Sequence, residues 1–82
     1  MKITVNKAEI VDYKLVFRAR NKEDEVLEII IDTTNKENFL YIKEKLQKLP
    51  WTRSCRTWGE VISKLPNKTI DIRNNFIIRK VA

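Results

Sequence analysis

Three strand-like runs are separated by gaps too short for anything but hairpins. Residues 2–11 alternate polar and apolar side chains, with Ile3 and Val5 on one face and, after a change of register, Ala8 and Ile10. Tyr13, Leu15, Phe17 and Ala19 alternate with Lys14, Val16, Arg18 and Arg20, and Val26 to Asp32 is a β-branched run. Only Asp12-Tyr13 separates the first two runs, and only the polar stretch Asn21-Lys22-Glu23-Asp24-Glu25 separates the second from the third. A parallel crossover needs about a dozen residues or more, so these three strands form an antiparallel meander.

Helical signals follow. Thr34-Asn35-Lys36-Glu37 reads as a capping box, in which the threonine hydroxyl takes an orphan N–H and the glutamate reaches back. The spacing of Phe39, Ile42, Leu46 and Leu49 predicts one apolar stripe on a helix ending near Leu49, with Leu40 and Tyr41 off that stripe. Pro50 stops this helix or opens the next. Thr57-Trp58-Gly59-Glu60 is a second capping box and starts a short helix with Trp58, Val61, Ile62 and Leu65 on one side, ended by Pro66. A longer helix through 51–65 would place Gly59 inside, at about 1 kcal/mol, so residues 51–56 read as an irregular connection. Residues 68–73 and 76–81 read as strands, the latter with a Phe76-Ile77-Ile78 run suited to cover on both faces. Asn74-Asn75 tolerates positive φ and suits a tight turn between them. The expected architecture is one α+β domain over 1–82, in the order β-β-β-α-α-β-β. It consists of an antiparallel three-stranded meander, two helices packed on one sheet face and a C-terminal β-hairpin.

Missing atoms exclude much chemistry. The 82 residues contain no histidine, one cysteine and one glycine. Ser-His-Asp and Cys-His catalysis, Cys/His zinc sites, P-loops and GxGxxG turns are all ruled out. Acid-only metal sites need converging carboxylates, and the run Glu23-Asp24-Glu25 suits a solvated turn better. Cys55 stands between Arg53 and Arg56, which favour a thiolate, yet no base is at hand and a small buried hydrophobe is the plainer reading. No catalytic residue, metal ligand or cofactor is expected. The amino terminus lacks the uninterrupted apolar stretch of a signal peptide, and no run could span a membrane. With a lone cysteine, these features point to a cytoplasmic protein. Richness in Lys, Ile and Asn suggests an AT-rich genome, such as that of a low-GC bacterium, its phage or a plasmid.

Charge is where the sequence speaks about partners. The net charge is +6, but residues 1–42 carry −1 and residues 43–82 carry +7. Such asymmetry favours a polyanionic or acidic partner at the second half, against the plainer reading of solubility. The expected nucleic-acid footprint is Lys43, Lys48, Arg53, Arg56, Lys64, Lys68, Arg73 and Arg79, with Trp51 as a stacking plane beside the two arginines of the segment WTRSCRTW. Trp58 is read as core. Trp51 divides between core and surface.

The leading expectation is therefore a non-catalytic basic module contacting nucleic acid through residues 43–80. The alternative is a protein-interaction module, such as a phage- or plasmid-encoded inhibitor or a small homodimer, with Leu40, Tyr41 and Trp51 as apolar anchors on an acidic protein surface. A metal-free RNase using Arg, Lys and Tyr stands behind both.

Overall fold

The computed structural model describes residues 1–81. The α+β class and the expected element order are both present. Strands β1 (Lys2–Val11), β2 (Lys14–Arg20) and β3 (Val26–Asp32) form the meander. Helix α1 (Lys36–Gln47), a 3₁₀ helix (Pro50–Ser54), helix α2 (Trp58–Lys64), β4 (Thr69–Asp71) and β5 (Ile77–Lys80) follow. The sheet is ordered β4-β1-β2-β3-β5.

Local chemistry explains the meander. Asp12 and Tyr13 both adopt positive φ, 49° and 62°, the two-residue turn whose twist matches its strands, so Val11 pairs directly with Lys14. The change of register in β1 is a bulge between Val5 and Lys7. It keeps Ile3 and Val5 on the inner face before it and sets Ala8 and Ile10 opposite Phe17 and Leu15 after it. The wider β2–β3 turn is organised by Asn21, whose side chain accepts from the backbone N–H groups of Glu23 and Glu25.

The helical layer covers one sheet face. Ile3, Val5, Leu15, Phe17, Ala19, Leu27, Ile29, Ile31 and Ile70 join Ile42 and Leu46 of α1, and Val61, Ile62 and Leu65 around α2, in one buried cluster. The strand elements contacted differ, α1 lying against β3 and α2 against β1. Burying each large aliphatic here stabilises the fold by about 1.5–3 kcal/mol. Among the described residues no polar or charged side chain is buried, so any chemistry this chain performs takes place at its surface.

Several expectations need correction. The C-terminal hairpin does not form. β4 pairs antiparallel with β1 and β5 pairs antiparallel with β3, at opposite edges of the sheet. Since β1 and β3 run the same way, β4 and β5 run parallel to each other, and no tight turn can join them. β4 ends opposite Lys2 whereas β5 begins opposite Ile30, level with Val16 and Glu9, so six Cα steps, about 20–22 Å at most, bridge the width of the sheet and part of its length as well. The link 72–76 is therefore drawn out, and its Arg73 N–H is held by the Tyr41 hydroxyl of α1. Ile72 buries in the core on the way, its N–H bonded to Met1 O. Neither Asn74 nor Asn75 adopts positive φ. Two edge pairings, with buried Ile70 in β4 and Ile72 just after it, outweigh the turn preference of two asparagines.

At α1 the N-cap is Asn35, not Thr34: the Asn35 side chain accepts from Asn38 N–H at 3.1 Å, and Thr34 Oγ1 instead donates to Asp32 at 2.7 Å. The helix closes at Gln47, before Leu49. At α2 Thr57 is the cap, accepting from Glu60 N–H at 3.2 Å, while the Glu60 carboxylate accepts from Arg56 N–H, one residue ahead of the position a capping box prescribes. Residues 50–54 are not irregular, because Pro50 opens a 3₁₀ turn there. Ile77 is 62% exposed, so the last strand is not covered on both faces.

Candidate nucleic-acid interface

The two sides of the molecule treat their charges differently. On the open sheet face, Lys7, Arg18, Glu28 and Arg79 stand in one row across β1, β2, β3 and β5. Glu28 takes Arg79 at 2.5 Å and Arg18 at 4.0 Å, and Lys7 reaches Glu9 at 4.0 Å. Arg20 pairs with Asp24 at 3.0 Å, and Lys80, at the end of β5, pairs with Glu25 at 2.6 Å. The Lys80 hydrogen bond, helped by Asn21, holds the Glu25 carboxyl below its usual range, and the same bond raises Lys80. Exposed pairs of this kind add little stability, but they reduce the field of the open face, where Lys2 and Lys14 are the strand cations that make no ion pair.

The helical side is the reverse. Residues 36–68 contain eight Lys/Arg against three carboxylates, Glu37, Glu44 and Glu60. Glu44 is engaged by Lys48 at 3.3 Å and Glu60 accepts from Arg56 N–H at 3.3 Å. Lys45 lies close enough to Asp71 to favour its ionised form. That carboxyl is lowered first by its hydrogen bond from the terminal ammonium at 3.1 Å, with Lys45 and Lys2 adding to it. Lys43, Arg53, Arg56, Lys64, Lys68 and Arg73 make no ion pair among the described residues.

Of the eight cations expected from the sequence to contact nucleic acid, these six are thus unneutralised. Lys48 is paired on α1, and Arg79 is paired on the opposite sheet face. Three of the six rest on aromatic rings. The Lys43 ammonium lies 5.9 Å from the Phe39 centroid and the Lys68 ammonium 5.5 Å from that of Trp51. The Arg73 guanidinium lies 3.8 Å from the centroid of Tyr41 and 5.6 Å from that of Phe76.

Trp51 is accordingly not a free stacking plane. It is half-buried, packs against the core and has Lys68 across its ring. Arg53 and Arg56 beside it are exposed. Trp58 is half-buried against the core and forms a wall common to two clefts. One, of about 190 Å³, is lined by Cys55, Arg56 and Leu46, and the other, of about 210 Å³, by Ile10, Phe39 and Ile62. Cys55 is a half-buried thiol whose Sγ lies 3.9 Å from Trp51 O. Of the expected protein-interface residues, Leu40 is 51% exposed, while Tyr41 and Trp51 are half-buried and pack against the core.

Among the described residues no three Cys, Asp or Glu side chains gather as metal ligands, and no helix is long and apolar enough to cross a membrane. Comparison of the chain with family models, curated proteins and solved structures finds no match. The partnership of Tyr41, Arg73 and Phe76 went unread in the sequence. Thirty-two residues separate Tyr41 from Arg73, and no periodic pattern links a helix to a crossover.

Proposed function

We propose that the protein is a non-catalytic binding module that holds a polyanion, nucleic acid by the chemistry of its surface, on the helical side of the sheet. The observation that carries this reading is a difference in charge pairing: on the open face Lys7, Arg18, Arg20 and Arg79 have carboxylate partners and only Lys2 and Lys14 lack one, whereas Lys43, Arg53, Arg56, Lys64, Lys68 and Arg73 all lack one among the described residues. Unpaired cations on one layer create an attractive field for phosphates and release counterions on binding. Ammonium and guanidinium groups resting on aromatic rings are ordered before the ligand arrives, which lowers the entropy lost on docking. A reducing compartment such as the cytoplasm suits the single thiol.

The test is a titration of labelled single- and double-stranded oligonucleotides at several salt concentrations. Affinity is expected to fall steeply with salt, the log–log slope being about −0.9 per phosphate contacted on duplex. Absence of binding at low salt would overturn the proposal. Self-association is the second reading, favoured by one observation: Ile77, 62% exposed, lies on the unpaired edge of β5. A second copy could pair there strand to strand. Light scattering showing a monomer at all concentrations removes it.

A further inference from the structure

We propose that Tyr41, Arg73 and Phe76 form a receptor for one phosphate oxyanion, a subsite that rests on the polyanion reading for the identity of the phosphate's carrier.

The geometry separates two uses of one side chain. The Arg73 guanidinium lies over the Tyr41 ring, 3.8 Å from its centroid, with Phe76 at 5.6 Å. The two rings stand 5.7 Å apart at 44°, a tilted pair that flanks the cation. Stacking of this kind occupies the face of the guanidinium and leaves its N–H donors in the plane, free to bind two oxygens of one phosphate side by side. No carboxylate among the described residues pairs with Arg73, and Asp71, two positions away, is engaged by the terminal ammonium.

Tyr41 contributes twice. Its hydroxyl accepts the Arg73 backbone N–H at 2.9 Å, which fixes the crossover against α1. That bond occupies a lone pair and leaves the O–H proton unspent, and among the described residues no oxygen accepts it. A phenol donor therefore stands beside the guanidinium donors. Lys45, one helical turn beyond Tyr41 on the same face of α1, adds positive field without competing for the site. A ring for the guanidinium to rest on, an in-plane fork and an adjacent hydroxyl donor match a tetrahedral phosphate better than a diffuse basic patch does. A lysine at position 73 would keep the charge and lose the fork.

The experiment uses the whole chain and two probes. Binding of a mixed-sequence single-stranded oligonucleotide is measured for the native protein, Arg73→Lys and Tyr41→Phe, with thermal melting as the folding control. Separately, the Arg73 Nε–Hε resonance is followed while inorganic phosphate is added. Arg73→Lys is expected to weaken oligonucleotide binding about tenfold at unchanged net charge, Tyr41→Phe by a few-fold, and phosphate to shift the Arg73 resonance. Native-level binding by both variants overturns the subsite and leaves the polyanion reading standing. A native protein that ignores the oligonucleotide while phosphate shifts Arg73 overturns the polyanion reading and supports the subsite. A native protein that responds to neither probe overturns both.

Discussion

Arg79 of β5 closes on Glu28 of β3 at 2.5 Å, the two residues lying directly opposite each other in the antiparallel ladder. Glu28 also faces Arg18 at 4.0 Å, so one carboxylate serves two guanidinium groups. The basic row on the open face is thereby partly neutralised, in contrast to the helical side. Arg79→Ala is expected to leave oligonucleotide affinity within about twofold. The double variant Arg53→Ala/Arg56→Ala is expected to weaken it about tenfold or more and to reduce the salt slope by about two phosphates' worth. Fluorescence anisotropy at about 50 and about 200 mM salt checks both, and equal losses would place the ligand elsewhere.

Tyr13 holds φ at 62° with its side chain 76% exposed. A left-handed conformation costs a non-glycine residue about 1–2 kcal/mol. Tyr13→Gly is expected to stabilise the fold by up to about 1 kcal/mol and to raise Tm by about 4–8 °C. Thermal melting reads it. A lower Tm would mean that the tyrosine ring makes a stabilising contact.

The start of α1 gives a direct contrast between neighbours. Asn35→Ala is expected to cost about 1 kcal/mol, because it removes the acceptor for Asn38 N–H. Thr34→Ala is expected to cost under about 0.5 kcal/mol, since its hydroxyl serves only an exposed bond to Asp32. Urea denaturation of the two variants ranks them.

The crossover makes a topological prediction. Ile72→Ala is expected to cost about 2–5 kcal/mol, as for other buried isoleucines. Asn75→Gly, which would favour a tight hairpin, is expected to lower stability or leave it unchanged, since no positive φ is used there. A stabilised glycine variant would argue for a turn between β4 and β5.

Stability should fall in acid. The Glu25, Asp32 and Asp71 carboxyls are held below their usual range by hydrogen bonds from Lys80, from Thr34 and from the terminal ammonium respectively. Their folded values lie below the unfolded ones, so their contribution is complete above about pH 5 and is lost as pH falls through the carboxylate range. Lys80 is raised by Glu25, so its share is complete below its unfolded value and is lost only as strongly alkaline pH passes its folded value. Tm measured from about pH 7 to about pH 2 is expected to decline, and less steeply in Asp32→Asn.

Periodicity and short gaps made the meander and both helices legible, because those signals are local. Val11 and Lys14 must pair once Asp12-Tyr13 turns, and the bulge after Val5 is written in the shift from Ile3 and Val5 to Ala8 and Ile10. The fates of β4 and β5 were not local. Asn74-Asn75 is a credible turn in isolation, and only partners some seventy and fifty residues away, at Lys2–Thr4 and Leu27–Ile30, decide otherwise. The same limit applied at the surface. Composition located the basic half of the chain, and the helical layer does hold its unpaired cations. The Glu44–Lys48 pair, four residues apart on a helix, was open to reading, but nothing in the sequence announced that Arg79 would meet a carboxylate, that Lys68 would cover Trp51, or that Tyr41 would seat Arg73.

The stretched link between β4 and β5 makes the final strand a clasp. β1, β2 and β3 zip through near neighbours in the chain, but the far margin of β3 closes only when residues 77–80 are carried across. Should that clasp open, Leu27 through Ile30 would present bare backbone and isoleucine to solvent. The molecule's hazard of sticking to its own kind therefore lies in the four residues that close this margin.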